Sequence, residues 1–324
     1  MKEKLLKRVD IAQAAPALFL LVLIVVYSII ANNFLTTGNI LNILRQVSIT
    51  GVMAVGVTLV ILLGEIDLSI GTVMAFCGMM AGGFATGKYF GLSELPVSVS
   101  IILVLIIGLI VGLIAGLAAA KLHIPGFMAT LAMQYICSGL MLMITGAKPI
   151  GSIPESLKFW GSGYVFNSIP VIILVFLGVF LVVMFLLKRT VFGRNLYAVG
   201  GNLEAARMAG INTTFTKVVA FMICSMLCAL SGVLMDGRIG SAQVTMGDAL
   251  QMQPIAAAVL GGASLMGGKG TMTGTFLGVL IMGVLVNGLN LMRVSSDAQR
   301  LVTGIVLFVG VAFNIWSARR NTGK

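Results

Sequence analysis

Charge is scarce in this sequence: Asp, Glu, Lys and Arg together supply 10% of the 324 residues, against 59% hydrophobic. With a mean hydropathy of +1.09, that much apolar surface cannot be hidden in a water-soluble domain, so the solvent has to be lipid. Histidine is rarer still. His123 is the single one, set beside Lys121 and Pro125 at the end of an apolar run, where an interfacial residue belongs. The four cysteines, Cys77, Cys137, Cys224 and Cys228, all fall inside apolar runs. Cys224 and Cys228 share a helix face at i, i+4, but one histidine and these thiols do not make a metal set, and small buried apolar side chains is the simpler reading. A phosphate loop is missing as well. Around Gly268-Lys269 the first glycine of the pattern falls on Ala263 and the hydroxyl on Gly270, and no other Gly-Lys is followed by Ser or Thr. The chain therefore carries no ATPase of its own, and no nucleophile–base pair suggests an intramembrane enzyme.

What is abundant is apolar sequence broken at intervals. Ala14–Ala31 is a first run, too long for a signal peptide and without a clear cleavage site. Asn32–Gln46 reads as a polar, mildly amphipathic connection. Val47–Gly87 is too long for one span of about 20 residues and breaks at Gly64–Gly71. Further runs follow at Ser98–Ala120, Pro125–Thr145, Ile169–Leu187, Val218–Met235, Met252–Met266, Thr271–Met292 and Leu301–Ser317. Met252–Met266 is short for a span, which implies tilt, partial re-entry or extension toward Asp248. The expected fold is an all-α, polytopic transmembrane helix bundle of about ten spans in a single domain over 1–324, with both termini cytoplasmic. Forty glycines suit close helix–helix approach in lipid.

The net charge of +11 does not point to nucleic acid, because the basic residues lie between apolar runs rather than along one face. Placing the N-terminus inside puts fourteen Lys and Arg on the cytoplasmic side and seven outside, as the positive-inside rule requires. The inner group includes Lys2, Lys4, Lys7 and Arg8, and five residues of Lys188–Lys217. Gly146–Ser168 is then the largest outward connection, and its Trp160 and Tyr164 suit either a membrane interface or a lip that receives a partner.

Lys188–Lys217 is the longest water-compatible basic stretch. Within it, Asn202-Leu203-Glu204-Ala205-Ala206-Arg207-Met208-Ala209-Gly210 reads as a very short helix. Asn202 caps it, Glu204 and Arg207 suit its positive and negative ends, and Gly210 stops it. So short a helix has no stability of its own. Its bed is either the membrane domain or another protein. The Glu-Ala-Ala-x-x-x-Gly spacing, with Gly193-Arg194-Asn195 and Gly200-Gly201-Asn202, resembles the cytoplasmic coupling loop in permease subunits of binding-protein-dependent ABC importers, in the monosaccharide branch (ribose, galactoside, arabinose, xylose). GEIDLSIG (Gly64–Gly71) and the glycine-rich Pro254–Met292 block resemble the same family, although the longer loop motif's Leu-Pro is absent here. Gln251-Met252-Gln253-Pro254 also stands where a family member usually has Glu-Leu-Asp.

The resemblance implies a permease that moves a monosaccharide across the bacterial inner membrane. It implies a separate ATPase carrying ATP-Mg, a solute-binding protein outside, and a second permease copy or paralogue. No cofactor and no metal is expected on this chain itself. Asn202, Leu203, Glu204, Ala205, Ala206, Arg207 and Gly210 would couple to the ATPase. Glu65, Asp67, Ser69, Asn287 and Asn290 are candidates for the translocation path or gate. Carboxylates in a bilayer are costly, so Glu65 and Asp67 serve as a proton relay, a substrate contact or a gate hinge, unless they sit in a solvated turn. Asn287 and Asn290 either bind a hydroxylated solute or join neighbouring helices. LGEIDLSIG (Leu63–Gly71) and LGGASLMGG (Leu260–Gly268) agree at four of nine positions, through an internal repeat or through chance. The alternatives to sugar import are an ABC permease for branched-chain amino acids and a proton-coupled secondary transporter.

Overall fold

Prolines and small polar residues set where the helices begin. Pro96, Pro125, Pro154 and Pro170 immediately precede helices α4 (Val97–Lys121), α5 (Gly126–Thr145), α6 (Glu155–Ser162) and α7 (Val171–Arg189), where a residue without an N–H to donate costs nothing. Thr36, Thr190, Asn202, Asn212 and Thr271 cap α2 (Thr37–Leu62), α8 (Val191–Gly201), α9 (Leu203–Met208), α10 (Thr213–Ile239) and α12 (Met272–Leu291), each side chain accepting a backbone N–H of the first turn. The remaining helices are α1 (Ile11–Ile30), α3 (Ile70–Ala85), α11 (Gln253–Leu260) and α13 (Ser296–Asn321). The computed structural model describes residues 11–89, 93–166 and 168–321. The basic residues before Ile11, and Lys324, lie outside them.

Among the described residues, six helices, α2, α4, α5, α7, α10 and α12, are long and apolar enough to cross a membrane. At 16 residues α3 falls short of that length, and α11 has only eight. The segment expected at Met252–Met266 is thus half helix, preceded by a 3-10 turn at Asp248–Leu250 and followed by a glycine-rich turn. Two connections differ from expectation. Most of Asn32–Gln46 is the first part of α2, because Thr36 caps a helix whose amphipathic opening runs straight into the apolar run. The loop after α7 contains a second helix, α8, before the short one.

The bundle is ordered inside out. On α4, Ile102, Ile106, Ile110 and Ile114 form an exposed stripe, while Gly108, Gly112 and Gly116 lie on the opposite face against α10. A Cβ at Gly116 would stand 2.8 Å from Val218 Cα, and one at Gly112 2.6 Å from Met222 Cα. The two helices therefore meet backbone to backbone. Helix α10 is the hub, packed on α4, α3, α2 and α6, and α2 is buried without interruption from Val47 to Leu62. The only strands among the described residues, β1 (Tyr164–Val165) and β2 (Ile169–Pro170), pair antiparallel in the connection between α6 and α7. Since α6 packs on the C-terminal end of α10 and α9 adjoins its N-terminus, these elements mark opposite ends of the bundle.

Candidate functional site

At the α9 end three backbone segments meet through glycine. Gly200, in the last turn of α8, has no room for a Cβ: it would lie 2.8 Å from both Gly268 N and Leu62 C. Gly268 N in turn donates to Leu62 O at 2.9 Å. Gly64 and Gly267 adopt φ of 78° and 82°, a region that glycine enters without strain, and a Cβ on Gly267 would stand 2.8 Å from Gly64 N. The two similar nonapeptides therefore touch each other, and the end of α8 lies on the second of them and on Leu62, the residue before the first. Tyr197 Oη donates to Gly270 O at 2.8 Å, and burial pushes its phenol above the usual tyrosine range.

The short helix protrudes from this platform. Asn202 Oδ1 accepts from Ala205 N at 2.9 Å; Arg207 pairs with Glu204 at 3.3 Å; Gly210 has φ of 79° and closes the helix through its N–H to Arg207 O. Ala206 alone is buried and Leu203 half-buried. Glu204, Ala205, Arg207, Met208 and Gly210 are exposed, Met208 at 87%. Most of this helix is therefore exposed.

The GEIDLSIG residues are held from several sides. Glu65 Oε1 pairs with Lys217 Nζ at 2.7 Å, and its Oε2 accepts from Gly126 N, the first residue of α5, at 3.0 Å. Asp67 is buried, and its Oδ1 accepts from both the backbone N–H and the hydroxyl of Ser69 at 2.9 and 2.6 Å, fixing the entry to α3. Leu68 N donates to Thr130 Oγ1, and Gln251 Nε2 donates to Leu68 O and to Gln134 Oε1. Gln251, at the position where the resemblance leads one to expect an acid, thus ties this turn to α5. Cys224 lies beside the Asp67 carboxyl.

At the α6 end a cavity of about 930 Å³ opens between α2, α10, α11, α12 and α13. Its wall carries Asn42, Gln46, Arg238, Asp248, Gln253, Asn290, Gln299, Arg300 and Thr303 among Ile49, Leu250, Val286 and Leu307. Arg238 donates to Asn42 Oδ1 at 3.3 Å, and Gln299 donates to Asn290 Oδ1 at 2.8 Å. Amide, guanidinium, hydroxyl and carboxylate groups around one space can replace the water around a small polyhydroxylated solute.

The structure separates the two asparagines singled out in the sequence. Asn290 lines the cavity, whereas Asn287 is buried and exchanges two amide hydrogen bonds with Asn39 of α2, at 3.0 and 2.8 Å. Glu65, Asp67 and Ser69 are outside the cavity wall. Sequence reasoning missed the rest of that wall, although a signal was present. Asn42 and Gln46 stand at i, i+4, and Ser296, Gln299, Arg300 and Thr303 at i, i+3, i+4, i+7. These are polar residues at helical spacing in the opening turns of α2 and α13.

A family profile described as branched-chain amino acid transport system / permease component matches residues 39–311. The chain is 43% identical over 298 residues to the ribose import permease protein RbsC of Bacillus subtilis (strain 168), covering 91% of this chain and 90% of that one. It is 40% identical over 296 residues to the ribose import permease protein RbsC of Haemophilus influenzae, covering 90% of each. Similarity extends to the xylose transport system permease protein XylH of Escherichia coli (strain K12), at 29% over 348 residues, with 89% of this chain and 87% of that one aligned. No solved structure matches. A profile spanning residues 39–311 and relatives aligned over most of both chains establish that this chain belongs to the branched-chain amino acid transport system / permease component family.

Proposed function

We propose that this chain is the permease subunit of an ABC importer that carries ribose, or a closely related monosaccharide, across the bacterial inner membrane. The observation that carries the reading is the pairing of two ends. A short, capped and mostly exposed helix stands at one end, and a cavity with polar side chains in its wall stands at the other, joined by α10. The ribose import permeases among the relatives supply the solute class.

In this reading α1, α2, α3, α4, α5, α7, α10, the α11 segment, α12 and α13 make ten passes within one domain, and both termini face the cytoplasm. The basic residues Lys188, Arg189, Arg194 and Arg207 around α8 and α9 support an inward placement of that end. Helix α9 docks on an ATP-hydrolysing subunit that holds ATP-Mg, and the chain itself binds no cofactor. The polar wall of the cavity needs a cover that lipid cannot supply, and a second copy of this chain or a paralogue closes it into a path. A solute-binding protein on the outer face delivers the sugar at the α6 end. ATP-driven closure of the ATPase displaces α9, and the bundle opens and closes around the cavity.

The test is reconstitution in proteoliposomes with the ATPase and the binding protein. Ribose uptake is expected to require ATP and both partners, and to persist with a proton ionophore at constant ATP. Uptake that collapses with the ionophore, or proceeds without the ATPase, overturns the reading in favour of a secondary transporter. The family's description favours one further reading, a branched-chain amino acid as solute. A ligand screen on the companion binding protein decides between them, with leucine, isoleucine and valine as the competing ligands.

A further inference from the structure

The ion pair at the foot of α10 ties together elements that no sequence neighbourhood connects. Lys217 lies in the second turn of α10, and Glu65 in the turn between α2 and α3. Both side chains are largely out of solvent, 14% and 17% exposed, and Nζ–Oε1 is 2.7 Å. The second Glu65 oxygen accepts from Gly126 N at the start of α5. One carboxylate therefore clasps the bases of α10 and α5 to the end of α2.

What lies on either side of the clasp gives it a task. Upstream, residues 209–212 alone separate α9 from α10, and Gly210 in that joint has φ of 79°. The joint turns at a left-handed glycine, the residue type that enters that region without strain, and its N–H groups at 209–211 donate back into α9. Downstream, α10 runs unbroken to Ile239, and its last turns place Met235, Arg238 and Ile239 in the cavity wall. Lys217 and Arg238 are 21 residues apart, roughly 32 Å along a helix. Along that length α10 meets α4 backbone to backbone, so the two shift together or not at all.

We propose that Glu65 and Lys217 are positioning residues for transport. The ion pair stiffens the foot of α10 so that displacement of α9 reaches the cavity wall instead of being absorbed in the 209–212 joint. Rigid elements joined by specific contacts transmit coupling only where such contacts hold. This inference rests on the importer reading above.

The experiment compares Lys217→Met with Lys217→Arg in the full complex in proteoliposomes, measuring sugar transported per ATP hydrolysed. A second readout is labelling of an Ile239→Cys side chain by an impermeant maleimide, with and without ATP-Mg and vanadate. Lys217→Met is expected to co-purify with the ATPase and hydrolyse ATP, while transport per ATP falls about five-fold or more. The nucleotide-dependent change at position 239 is expected to disappear, and Lys217→Arg to restore both. Should Lys217→Met fail to accumulate, Glu65→Gln removes the charge and keeps an acceptor for Gly126 N. Normal coupling in Lys217→Met or Glu65→Gln overturns the inference, as does failure of Lys217→Arg to rescue. Absence of ATP-driven uptake by the unmodified chain overturns the importer reading itself, which separates the two failures.

Discussion

The glycine face between α4 and α10 makes a sharp prediction. At Gly112 of α4 an added Cβ would stand 2.6 Å from Met222 Cα and 2.8 Å from Phe221 C, both backbone atoms of α10, where ordinary contact begins at 3.4 Å. Neither atom belongs to a side chain that can swing away, so Gly112→Ala has to push the two helices apart. The shortfall, about 0.8 Å at Met222 Cα and more at Phe221 O, has to be met by backbone movement, and overpacking of this kind costs about 1–3 kcal/mol. Gly139 of α5 provides the matched control, because a Cβ there meets nothing within 4 Å. Gly139→Ala keeps the favourable part of the change, a helix propensity gain of up to about 1 kcal/mol. Thermal unfolding of the purified protein in one detergent, followed by circular dichroism, is expected to rank the proteins Gly139→Ala, then the unmodified chain, then Gly112→Ala. Since α10 runs from α9 to the cavity, Gly112→Ala is also expected to lower transport. Equal melting of the two variants would refute the view that α4 and α10 touch through glycine.

The other sites give outcomes of different kinds. Glu204→Ala with Arg207→Ala removes an exposed i, i+3 pair worth less than about 1 kcal/mol, so membrane insertion and melting should hold while co-purification with the ATPase and sugar uptake fall; unchanged uptake counts against α9 as the docking element. Asn287→Leu leaves Asn39 without its reciprocal partner, and the double cycle with Asn39→Leu is expected to show a coupling of about 0.6–1.7 kcal/mol in unfolding. Asn290→Leu removes a cavity amide without touching the α9 end; losing one hydrogen bond to solute predicts uptake lowered by about two- to ten-fold with ATPase binding intact.

How much of this was legible depends on what each segment packs against. The apolar runs at Ser98–Ala120 and Pro125–Thr145 were readable within a residue or so, because proline marks their start and lipid selects their composition. The cap and stop of α9, and the placing of Glu204 and Arg207 toward its two ends, were readable because they are local, and the structure has Asn202, Glu204, Arg207 and Gly210 in those positions and adds the ion pair between Glu204 and Arg207. Helix α8 was not, since Gly193, Gly200 and Gly201 look like loop residues until Leu187, Leu62 and Gly268 are found against them. The difference between Asn287 and Asn290 was equally invisible. Three residues place them on neighbouring turns, and only the position of Asn39 and of α13 makes one a strut and the other a wall. The cavity needed five helices to be assembled before its polar residues faced one another.

The distribution of acids bears on how such a chain is powered. A carrier driven by protons needs carboxylates that meet the solute path and exchange with both solutions in turn. Among the described residues, both Glu65 oxygens are engaged by Lys217 and Gly126, and Asp67 is enclosed against Ser69. Asp236 is fully buried in α10, where its Oδ1 would lie 3.1 Å from a Cβ on Gly78. Asp248 alone stands in the cavity wall. On the proposed reading, a short exposed helix, a clasped helix foot and a distant cavity are the parts through which a separate ATPase would work.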